Sequence, residues 1–131
     1  MTSLASLRAR KRAWPSMRVK SEIWVKAYLR CCQVEGASAF VARRGDVHAG
    51  AIYICVNQLD GTVKLYGPAP AGLEGGDTER RWVNCFAASF IGEDEAAKYL
   101  ARQLNIDTDA WIIEVEDKAG RHFLGDAIAE E

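Results

Sequence analysis

"AIYICVNQLDGTVKLYGPAP", residues 51–70, decides how this chain folds. Ile52, Ile54 and Val56 alternate with Tyr53, Cys55 and Asn57, the two-residue period of a strand. A second apolar run follows Asp60-Gly61, and that dipeptide signals a hairpin because both central residues of a type I′ turn need positive φ. A two-residue loop there sets Leu59 opposite Thr62, Gln58 opposite Val63, Val56 opposite Leu65 and Ile54 opposite Gly67. Directly opposed residues share a sheet face, so Ile54, Val56, Val63 and Leu65 are expected to look inward together. The other face then carries Tyr53, Tyr66, Lys64 and Asn57.

Outward from the hairpin, "SEIWVKAYLRCCQVEG" from Ser21 has a helix pattern. Ser21 suits an N-cap, Glu22 suits the first turn and Gly36 suits a stop. Trp24, Ala27, Tyr28 and Cys31 recur at helical spacing and form its apolar stripe. "SAFVARR" is a strand before the hairpin, and "RRWVNCFAASFIG" a strand after it. The second helix falls on "EDEAAKYLARQLN", with Ala96, Ala97, Leu100 and Leu104 as its stripe, and "AWIIEVED" is the last strand. The order α-β-β-β-β-α-β implies an α+β domain, two helices packed on a mainly antiparallel sheet.

At 131 residues, 49% hydrophobic and 27% charged, the chain fits one globular domain. Its net charge of −1 conceals an asymmetry: residues 1–20 hold six basic side chains and no acid, whereas the remainder holds 11 basic against 18 acidic. Nonspecific nucleic-acid binding is largely neutralisation of phosphates, so an acidic body argues against it except through the basic leader. Residues 1–16, "MTSLASLRARKRAWPS", read as a disordered or spuriously translated extension, with a functional basic tail as the alternative. Residues 17–118 form the expected domain, and residues 119–131 show no clear period.

Cys31, Cys32, Cys55 and Cys85 make no CxxC pair, which argues against structural zinc and for buried thiols in a reducing cytoplasm. No apolar run approaches the roughly 20 residues that span a bilayer. No cofactor is implied.

Three segments, "MRVKSEIWVKAYLR" from Met17, the hairpin ending in "LYGPAP", and "DAWIIEVED" from Asp109, together resemble a small bacterial family, domain of unknown function 1491. The resemblance covers roughly Met17 to Lys118. It implies a single domain and carries no catalytic residue across.

Candidate sites follow from residue chemistry. In "RRGDVHAG", residues 43–50, His48 could act as a base oriented by Asp46, with Arg43 or Arg44 holding an anion. Aspartate and glycine also reverse a chain, and a bend is the preferred reading. Arg80 and Arg81 could bind phosphate or carboxylate through forked hydrogen bonds, although a solvated strand start is the preferred reading. "GLEGGD" lacks the lysine of a phosphate-binding loop. Glu114 and Glu116, sharing a strand face, could hold a hard cation, but a solvated edge is the preferred reading.

Two functions are therefore expected. The first is a non-enzymatic interaction module, self-associating or binding a protein partner through an open face of Tyr53, Tyr66, Lys64 and Asn57. The alternative is a small enzyme or anionic-ligand-binding protein using the 43–50 and 67–81 loops, with His48, Asp46 and an arginine.

Overall fold

The computed structural model describes residues 19–70 and 80–129. Helix α1 (Ser21–Val34) leads into β1 (Ser38–Arg43), β2 (Ile52–Asn57), β3 (Thr62–Pro68), β4 (Trp82–Asn84) and the two-residue β5 (Ile91–Gly92). Helix α2 (Glu93–Ile106), strand β6 (Trp111–Glu116) and a 3-10 turn (Gly125–Ala127) complete the order. The sheet runs β1-β6-β2-β3-β4, with β5 also on β3. Every pairing is antiparallel except β2 with β6. The fold is thus α+β with two helices on a mostly antiparallel sheet, as the pattern implies. "RRWVNCFAASFIG" departs in detail, since β4 ends at Asn84 and its amide oxygen accepts the Phe86 N–H at 3.1 Å. That side-chain turn bends the chain before β5 resumes.

The hairpin closes one residue away from the expected register. Asn57 faces Val63, Val56 faces Lys64, Cys55 faces Leu65 and Ile54 faces Tyr66. Three residues turn the corner: the Gln58 N–H reaches the Thr62 carbonyl at 3.1 Å, and Leu59 and Gly61 take positive φ of 66° and 90°. Side chains set this length. The Asn57 amide oxygen accepts the Leu59 N–H at 2.7 Å, and an Asp60 oxygen accepts both the N–H and the hydroxyl of Thr62. Such local bonds compete directly with a two-residue turn.

A one-residue slip exchanges the faces of a strand. Ile54 and Val56 therefore share the α1 side with Tyr66, Trp82, Trp111 and Ile113, while Cys55, Val63 and Leu65 lie with Ile91 and Ala96 on the α2 side. Alternation alone could not fix the register because both faces of β2 are buried along its whole length. Helix α1 is likewise rotated from its expected stripe: Ser21, Trp24, Val25, Tyr28 and Cys32 are buried, whereas Ala27 is exposed. In α2, Ala96 is buried, Leu100 packs on the second cluster and Ala97 is exposed.

Beyond Lys118, Phe123, Leu124 and Ala127 belong to the core. Phe123 and Leu124 are buried beneath α1, the Tyr28 hydroxyl donates to the His122 carbonyl at 2.6 Å, and the Ala129 N–H donates to the Trp82 carbonyl at 2.8 Å. Ile128 bridges Trp82 and so lies along β4. The basic leader, residues 1–16, and "GLEGGD" lie outside the described residues. Among the described residues no helix is long and apolar enough to cross a membrane.

Candidate functional site

The 43–50 loop is a clasp. Its Val47 and His48 carbonyls accept the N–H groups of Glu22 and Ser21 at 3.0 and 3.1 Å, taking up donors that the start of a helix leaves without intrahelical partners. Ser21 is the first helical residue and not the cap, which is Lys20; its hydroxyl donates instead to the Gly50 carbonyl at 2.7 Å. Arg44 pairs with Glu22 and lies over the Trp111 ring, while the Trp111 indole donates to the Asp46 carbonyl at 2.7 Å. Arg43 reaches the Ala110 and Thr108 carbonyls. One short loop thereby fastens α1 to the start of β6.

Asp46 serves this bend. Its carboxylate accepts the N–H groups of Ala49 and His48 at 2.9 and 3.0 Å, and those bonds hold its pKa below the usual aspartate value. His48 stands exposed on the turn. The hydrogen bonds join Asp46 to the backbone of His48, and the structure accounts for the aspartate without an oriented imidazole.

The open hairpin face expected from the sequence does not form. Tyr53 and Tyr66 retain only 9% and 6% of their surface, and Asn57 is buried. Tyr66 meets His122 edge-on on the α1 side. Tyr53 lies on the other face, where Gly67 leaves room for its ring: a Cβ at Gly67 would stand 2.9 Å from both Tyr53 Cε1 and Cys85 Sγ. Lys64 is half-buried with its ammonium over the Phe90 ring. The register puts Tyr53 and Tyr66 on opposite faces, and each face is packed against other elements, so the four side chains share no open surface.

Asn57 instead joins three segments. Its amide nitrogen donates to Glu93 at 2.8 Å and its amide oxygen accepts the Leu59 N–H, tying β2 to the start of α2 and to the hairpin turn. Burial raises the Glu114 pKa, and the neighbouring Glu116 adds to it. Among the described residues no three histidine, cysteine or acidic side chains are grouped to hold a metal ion. The four cysteines are free thiols, and burial pushes Cys32 and Cys55 up to about 12, unlike an activated nucleophile.

A cleft of about 200 Å³ opens where the 43–50 loop meets the ends of β3 and β4. Ala49, Ala51, Ile52 and Pro68 supply apolar wall, Arg80 and Arg81 supply positive charge, and Asp107 supplies a carboxylate at the end of α2. Trp82 also lines it, fixed by its indole N–H on the Ile52 carbonyl at 2.9 Å. Arg80 Nη2 donates to the Val19 carbonyl at 2.9 Å and the Ser21 hydroxyl at 3.1 Å, and Arg81 Nη1 donates to the Asp126 carbonyl. Both guanidinium groups are thus positioned by the scaffold. The sequence singled out Arg80 and Arg81, but Asp107 and Ala51 carried no local signal.

Fold and cleft define a small α+β domain, its mixed sheet covered by a helix on each face, with a charged recess at a sheet end. The chain belongs to the DUF1491 family, a family of proteins of unknown function whose model matches residues 19–125. It is similar to a family member from Caulobacter crescentus CB15 seen in a crystal, at 36% identity and a TM-score of 0.71, over 87% of this chain and all of that one. A family member from the same organism seen by NMR gives 37% identity and 0.70, over 87% and 99% of the two chains. A protein of A. tumefaciens in solution gives 36% identity and 0.66, over 76% and 86%. Among curated proteins none matches.

Proposed function

We propose that the chain is a non-enzymatic binding domain that takes a small carboxylate- or phosphate-bearing molecule in the cleft beside Arg80 and Arg81. The observation that carries this is the meeting of two anchored guanidinium groups with the end of the 43–50 loop around one recess. Guanidinium forks match carboxylate and phosphate oxygens, and a fork already held in place loses little freedom on binding. The described walls bring charge and apolar surface, while His48 stands on the exposed turn. Free thiols favour a reducing, cytoplasmic setting, and the relatives from two bacteria favour a bacterial source.

An amide-resolved NMR titration with propionate and with phosphate tests the proposal. Shifts should cluster at Ala49, Ala51, Arg81 and Asp107 and should disappear in Arg81→Gln. Shifts scattered over the surface, or unchanged in that variant, would overturn it.

A second reading keeps a protein partner but moves the surface. Strand β1 is at one edge of the sheet, with Phe40 and Val41 exposed by 43% and 38%, so a second copy could pair along it. The irregularity between Val41 and Arg43 works against that pairing. Light scattering tests it: a dimer lost in Phe40→Asp supports the edge, and a monomer removes it.

A further inference from the structure

We infer that the cleft's ligand is a small zwitterion, a free α-amino acid with a short side chain; this rests on the cleft being a binding site for small anions. Size comes first. The recess of about 200 Å³ lies below the roughly 300–1,000 Å³ of pockets that enclose drug-sized ligands, so it suits a small molecule.

Charge comes second. Arg80 and Arg81 suit a carboxylate, yet the same recess is also lined by Asp107, which would repel a plain anion. Asp107 caps the C-terminus of α2, where the helix dipole is negative, and the last turn of α2 contains no basic residue. One oxygen of its carboxylate accepts the Asp109 N–H at 3.0 Å, which fixes the group in place. A ligand that offers a carboxylate to the arginines and an ammonium to Asp107 satisfies both signs, and an α-amino acid carries the two groups on one carbon. Ala49, Ala51, Ile52 and Pro68 then provide the apolar surface for a short side chain.

Calorimetry on the full chain, with alanine, propionate and ethylammonium as separate probes, tests the inference. Alanine should bind roughly tenfold more tightly than propionate, because it adds a charge-assisted hydrogen bond. Asp107→Asn retains an oxygen for the Asp109 N–H, so its thermal midpoint should match the parent. It should bring alanine down to the affinity of propionate and leave propionate equal or tighter. Equal binding of alanine and propionate, or an Asp107→Asn variant that still prefers alanine, overturns the zwitterion and leaves the anion site standing. If no probe binds, both readings fall.

Discussion

The Ser21 hydroxyl donates to the Gly50 carbonyl at 2.7 Å and accepts from Arg80 at 3.1 Å, so one buried serine joins the start of α1, the 43–50 clasp and the wall of the cleft. Replacing it with alanine leaves a buried carbonyl without that donor and Arg80 without one of its anchors. Ser21→Ala should cost about 1–3 kcal/mol in urea denaturation. A change below about 0.3 kcal/mol would show that the bond is not structural.

Gly45 and Gly50 both press against the carbonyl of Asp109, which lies far inside contact distance of a Cβ built at either position. Backbone cannot swing aside as a flexible side chain can. Gly50→Ala should destabilise the domain by about 1–3 kcal/mol in the same assay, the usual cost of overpacking. Gly61→Ala meets open space, so its cost should come from the positive φ of 90° alone.

Asp117 is buried, and its carboxylate accepts the Arg121 N–H, Nε and Nη2, the last at 2.8 Å. The Arg121 bonds hold its pKa below the ordinary aspartate value. Because the folded form binds its proton less readily than the unfolded form, this stabilisation is present above about pH 4 and is lost as the pH falls below it. Asp117→Asn should therefore lower the thermal midpoint at pH 7 and make little difference near pH 2. An equal loss at both pH values would rule out the ion pair as its source.

Glu114 has the opposite sign. Burial raises its pKa, so the folded form holds the proton more tightly, and stability falls as the pH rises from about 4.5 through the raised value. Glu114→Gln removes the half-buried charge and should raise the midpoint slightly at pH 7 with no gain at pH 3. A lower midpoint at pH 7 would mean that the charged carboxylate stabilises the fold.

The fold class was legible because strand and helix periods are local. Gly36 ends α1 with φ of 90°, Asp60-Gly61 turns the hairpin, and the 43–50 loop is the bend its glycines and aspartate suggest. Register was not legible: Tyr66 and Leu65 are both apolar enough to be buried, so a strand covered on two sides carries no mark of which face is which. The cleft was only partly legible. Arg80 meets Ser21 across 59 residues, and Asp107 joins them from the end of another helix, contacts that no short motif encodes.

The most direct measurement is a crystal structure of the chain soaked in 3-bromopropionate, with bromine located by its anomalous scattering. The account predicts one strong peak within the recess near Pro68 and Ile52, with the carboxylate on Arg80 or Arg81. A recess without bromine while peaks stand elsewhere, or a carboxylate bound away from both arginines, would contradict it.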